Sequence, residues 1–168
     1  MKFLSIKEYF YKLNTIGFIL LLMPLMVFIF LYYTLPENVP MVSDQEQEAT
    51  LLLIVLVIFF IDLTTVHWLW SVKMKKIEKE IELAKRMDGY YSLTIMKMVM
   101  YCAGSLMMAF AFYLTSSMMF TAFFLAISIV IAFQWPSASA FCKHFRLHGR
   151  EREMIMTGGD VVTKNKRR

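Results

Sequence analysis

Charge is scarce in this chain, and one long stretch lacks one sign of it altogether. Charged residues make up 18% of the 168. Between Pro36 and Thr50 stand Glu37, Asp44, Glu46 and Glu48 without a single Lys or Arg. Hydrophobic residues reach 58%, with a mean hydropathy of +0.55. A soluble domain of this length has one core and cannot hide so much apolar surface, which excludes an ordinary soluble enzyme. Cysteine is nearly absent: Cys102 sits in an apolar run and Cys142 in a polar tail, at depths that keep them apart, so no structural disulfide is expected. There is no GxSxG, no P-loop and no HExxH, and the chain is read as a non-enzyme. Haem would need histidines from facing spans, and only His67 lies near one; no cofactor is expected.

What is present is four apolar runs, each near the ~20 residues that cross a bilayer. They place spans at about 15–35, 50–70, 93–115 and 118–135. The expected fold is all-α, a polytopic membrane protein whose four transmembrane helices form two hairpins, with short amphipathic cytoplasmic helices besides. Residues 1–14 form an amphipathic lead-in, 15–135 the membrane domain and 136–168 a basic cytoplasmic tail. The first run follows MKFLSIKEYFYKLN without a small-residue cleavage pattern and reads as a retained signal anchor. Pro24 should kink it.

The formal charge is +5, and its distribution decides its meaning. Lys and Arg cluster at the N-terminus, between the second and third runs, near the start of the third, and in the tail. By the positive-inside rule both termini are cytoplasmic in a multi-pass protein. The surplus faces anionic lipid headgroups, each nearby cation contributing about 1 kcal/mol. Nucleic acid is not expected as a partner, because only Lys164 to Arg168 approaches a polybasic patch.

Two segments have helical periodicity without the length to span. Phe3, Ile6, Phe10 and Leu13 share one face behind a Ser5/Glu8 capping box. In the linker helix 71–88, Met74, Ile77, Ile81 and Ala84 do the same, with Lys76/Glu80 and Glu82/Arg86 four apart on the charged side. Such helices can lie in the membrane interface, the favoured reading, or the second can continue the span before it. An offset of 81 superposes Tyr9 on Tyr90, Tyr32 on Tyr113 and Thr34 on Thr115, as in a parallel repeat or as any two apolar helices can by chance. In the tail, Ser137 or Ser139 can cap a short helix that Gly149 stops.

Asp62 is the costliest residue. It lies eight positions before Trp70, roughly 12 Å inside the membrane, where an ionised carboxylate costs at least ~2.5 kcal/mol unless compensated. Lys97, on the next and antiparallel span, is the expected partner in an intramembrane Asp62 to Lys97 pair. The alternatives are that Lys97 snorkels to the headgroups and that Asp62, protonated, bonds Thr64, Thr65 or a carbonyl. His67, Tyr101 and Ser105 are secondary polar candidates. His67 stands about 140° around the helix from Asp62 and reads as interfacial, beside Trp68. His144 and His148, four apart with Cys142 nearby, are weak metal candidates, but no second pair completes a site, and no metal is expected. The fifteen methionines read as packing material.

The stretch from Lys85 to Met156, with FYLTSS closing the third run and WPSASAFCKHFRLHGREREMI following the fourth, resembles a group of uncharacterised four-span membrane proteins of the Bacteroidota type. That resemblance implies the topology, in a bacterial inner membrane, and no known activity. The expected role is an accessory, assembly or scaffold subunit, as a homo-oligomer or within a membrane complex through small residues of the third span. The alternative is a small oligomeric transporter or channel that uses Asp62 and Lys97.

Overall fold

The computed structural model describes residues 5–34 and 44–158. Every regular element among them is a helix: α1 (Ile6–Thr34), α2 (Gln45–Glu78), α3 (Leu83–Thr115), α4 (Met118–Phe133), α5 (Ala138–His144) and α6 (Gly149–Thr157). Three of these are long and apolar enough to cross a membrane, and a fourth crossing exists if α4 and α5, bent by 75° at their junction, count as one broken span. With 16 residues α4 reaches only about 24 Å, below the ~30 Å hydrocarbon thickness.

The architecture follows from α3. Its neighbours α1, α2 and α4 all make their principal contacts with it. Its buried residues, from Met87 to Thr115, cover about half of its circumference at about 100° per residue, while Asp88, Ser92, Val99, Ala103 and Phe110 on the opposite side are exposed. Of the two expected hairpins, α3 and α4 pack on each other across their short turn, while α1 and α2 pack chiefly on α3, so three helices share the buried half of α3. Directions alternate. Tyr9 of α1 donates its hydroxyl to Met87 O at 2.9 Å, while Phe28 meets Phe112 further along, so α1 and α3 run parallel. Ile77 of α2 lies against Gly89 and Phe59 against Gly104, which makes α2 antiparallel to α3.

Small residues let the helices approach. A methyl group on Gly104 would stand 3.3 Å from the Phe59 ring. Ser105, Ala109 and Ala111 are likewise buried inside the protomer. Gly104, Ser105, Ala109 and Ala111 thus seat α3 against its own neighbours, whereas Ala103 is exposed.

Both amphipathic segments extend spanning helices. Residues 71–78 of the linker complete α2 and residues 83–88 open α3, joined at Lys79–Glu82. Residues 6–14 of the lead-in are the first turns of α1, capped where Ser5 Oγ accepts from Glu8 N at 3.2 Å. Phe3 lies outside the described residues. The physical reason is that each apolar stripe has a protein partner. Ile6, Tyr9, Leu13 and Met74 bury against Met87, Tyr90 and Tyr91 and against Phe141, Phe145 and Ile155 of the tail, forming a core cluster at the basic end of the molecule. Extending an existing helix also avoids a new nucleation step. Ile81 falls in the turn and is exposed instead of joining the stripe. The same turn breaks the expected four-apart charge pairs: Glu82 bridges Lys85 at 3.4 Å, and Arg86 donates to Glu80 O.

A second cluster, around Phe28, Phe59, Met108, Phe112, Phe120 and Phe124, fills the apolar middle. Helix α1 runs through Pro24 unbroken. At the far end Ser116 turns the chain with φ 55°, and Ser117 N bonds Thr115 Oγ1 at 3.2 Å, the tight turn expected there. Ser137 caps α5 by accepting from Ala140 N at 3.1 Å. Gly149, expected as a stop, opens α6 with φ 57°.

Candidate functional site

One face of α3 carries Tyr90, Thr94, Lys97 and Tyr101, spaced four, three and four apart, so these side chains form one strip. Trp70 of α2 lies on one side of it. On the other, α4 ends at Phe133 with Gln134 as its cap, and the bend through Trp135 and the buried Pro136 turns α5 by 75° beneath the strip. The bend is held by Trp135, whose Nε1 donates to Asn14 Oδ1 at 3.0 Å and whose ring lies 4.8 Å from that of Phe18. Between these elements is a half-open cavity of about 210 Å³, with Trp70, Thr94, Lys97, Tyr101, Gln134 and His144 among its walls.

Lys97 reaches this cavity with its ammonium 4.6 Å from the centre of the Trp70 ring and 5.7 Å from that of Tyr101. Both are within the ~6 Å range of cation–π attraction. Trp70 is fixed by its own neighbours, with its ring 5.9 Å from Tyr90 and 6.0 Å from His144. Tyr101 donates its hydroxyl to Gln134 Oε1 at 3.1 Å, tying α3 to the end of α4. Thr94 is 4% exposed, and its hydroxyl, which lies toward the Tyr90 phenol, makes no hydrogen bond of good geometry.

Asp62 is elsewhere. It is half-buried on α2 with its carboxylate toward Gly104: a methyl group there would lie 3.7 Å from Oδ2. The expected pair with Lys97 is not formed. Helix register explains why. Gly104 is seven residues from Lys97, about 10 Å along α3, so a residue level with Gly104 is out of the lysine's reach. The ring that is level with Lys97 belongs to Trp70, eight residues further along α2. Thr64 does not bond Asp62 either, since its hydroxyl is donated to Phe60 O at 2.7 Å.

The secondary candidates scatter. Tyr101 joins the cavity. Ser105, 1% exposed, donates to Tyr101 O at 2.9 Å in its own helix. His67 is exposed on the outer side of α2 with Trp68 and Ser71. His144 and His148 diverge: the first lines the cavity beside Trp70, and the second borders a separate basic groove with Cys142, Arg146 and Arg152. Among the described residues no three His, Cys, Asp or Glu side chains come together as a metal site. Trp70, Thr94, Gln134 and Trp135 were not singled out by sequence reasoning as site residues, although the strip spacing on α3 was there to be read. No family model, no curated protein and no solved structure matches the chain.

Proposed function

We propose that this chain is a four-span protein of a bacterial inner membrane, with both ends cytoplasmic, that serves as a non-enzymatic accessory, assembly or scaffold subunit. The likeness to four-span proteins of the Bacteroidota type belongs to the same proposal. Apolar side chains on the outer faces of α1, α2 and α4, such as Ile19, Phe30, Leu53, Ile61 and Phe133, are exposed and suit contact with lipid. The charge asymmetry supplies the orientation.

The observation that carries the choice between scaffold and transporter is the place of Asp62. A transport carboxylate belongs beside water. Asp62 lies at the α2–α3 contact and does not line the cavity that holds Lys97. A half-buried polar group at a helix contact, away from the cavity, supports a packing role. The test is the size of the native complex extracted in mild detergent. A discrete assembly larger than one 19.8 kDa protomer is expected. A lone protomer, together with proton or cation flux in proteoliposomes that Asp62→Asn abolishes, would overturn the scaffold reading in favour of the transporter.

A further inference from the structure

The cavity beside Lys97 presents donors and no charged acceptor. The lysine ammonium offers three N–H groups. It is half-buried with aromatic faces around it, and among the described residues no carboxylate forms an ion pair with it. Gln134 has its carbonyl occupied by the Tyr101 hydroxyl, which leaves the amide N–H groups to donate. Thr94, 4% exposed, supplies a hydroxyl that lies toward the Tyr90 phenol without a hydrogen bond of good geometry. A buried hydroxyl without a partner costs about 1–3 kcal/mol, and a partly desolvated ammonium without an anion costs more. One acceptor-rich anion placed between Lys97, Thr94 and Gln134 would remove both penalties. A cation is disfavoured by the ammonium, and a purely apolar guest would leave the Thr94 hydroxyl as it is.

We propose that this cavity binds a phosphate group, and that its source is the headgroup of an anionic phospholipid. The phosphate oxygens accept from Lys97, Thr94 and Gln134, while Trp70 stays against the other side of the ammonium. Position favours the lipid over a free ion. Trp70, Trp135 and Tyr90 surround the site, the aromatic side chains that settle at headgroup level. The cavity is open at one side, and Phe133 on its rim is 88% exposed, so an acyl chain can leave along an apolar surface. The site differs from general attraction of the basic end to anionic membranes, because it has a fixed stoichiometry and depends on an uncharged threonine. It requires that the chain sit in a membrane, and it holds for a scaffold and a transporter alike.

The full chain in mild non-ionic detergent provides the test, with tryptophan fluorescence as the readout, since two of its three tryptophans line the cavity. Titration with short-chain phosphatidylglycerol should give a saturable change with one lipid per protomer. Phosphatidylcholine, which carries the same phosphate beside a fixed cation, should bind at least about tenfold more weakly. Lys97→Met and the isosteric Thr94→Val should each weaken the phosphatidylglycerol response about tenfold or more, the loss expected for one hydrogen bond to a charged group. Thr94→Val also guards against misfolding, because it keeps the side-chain shape and removes only a hydroxyl without a hydrogen bond of good geometry, so it should keep the size-exclusion profile. Unchanged binding in both folded variants overturns the site. Saturation by inorganic phosphate with no response to phosphatidylglycerol overturns the lipid source and assigns the cavity to a soluble phosphate compound.

Discussion

A double-mutant cycle on Trp70 and Lys97 tests the geometry at the centre of the cavity. The ammonium stands 4.6 Å from the indole centroid, well within range, and both residues are half-buried. Exposed cation–π pairs contribute about 0.5–1 kcal/mol and desolvated ones about 2 or more, which places this pair near 1–2 kcal/mol. Trp70→Leu also removes ring contacts with Tyr90 and His144. Lys97→Met keeps most of the lysine stem. Those losses occur with and without the partner, so they cancel in the cycle and leave the coupling alone. The assay is reversible unfolding of the purified protein in mixed micelles, followed by far-UV circular dichroism, for the wild type, both single variants and the double. Expected is a coupling near 1–2 kcal/mol for Trp70 with Lys97. The matching cycle with Asp62→Asn and Lys97→Met should be additive within about 0.5 kcal/mol. A large coupling to Asp62 with none to Trp70 would refute the register of α2 on α3 described above.

Three further outcomes follow from the same packing. Gly89→Ala places a methyl group 2.9 Å from Ile77 Cγ1, so it should destabilise by about 1–3 kcal/mol. In an Ile77→Ala background the same change should stabilise by up to about 1 kcal/mol, because only the helix-propensity gain remains; thermal unfolding of the four proteins reads the sign reversal. Ala109 is fully buried, so Ala109→Leu should collapse the protomer itself, seen as aggregation on size exclusion, and a folded protomer that merely loses its partners would contradict the burial. For orientation, with Cys102 and Cys142 replaced by alanine, a membrane-impermeant thiol reagent on intact cells should label Glu46→Cys, and Lys79→Cys only after lysis; labelling of both from one side would remove the proposed topology.

Hydropathy made the spanning helices legible because a bilayer demands a minimum apolar length. The first three were readable in kind, though not in extent, since a helix leaving the membrane has no reason to stop if its stripe finds a partner. The Ile6/Leu13 and Met74/Ile77 stripes read equally well as membrane-facing, and what settles them is the tail: Phe141 of α5, Phe145 just after it and Ile155 of α6 cover them. Nothing local announces a contact between residues more than sixty apart in the chain. Local signals, by contrast, held where they were self-contained. The Ser5 and Ser137 caps each need only a hydroxyl and an amide three residues on.

At the site, matching depths was not enough. Asp62 and Lys97 were paired by their distance from the membrane edge, yet contact also requires the right azimuth and register, and α3 begins ten residues before the span assigned to it. Trp68 and Trp70 show how azimuth could have been used. Two residues apart, they diverge by about 200° on a helix, so they cannot both belong to an outward aromatic belt. Trp68 is 63% exposed and Trp70 turns inward over Lys97. Taken together with the strip of Tyr90, Thr94, Lys97 and Tyr101, that divergence points to Trp70 as the ring facing the lysine. What the structure sets against the Lys97 ammonium is therefore an aromatic face rather than the Asp62 carboxylate.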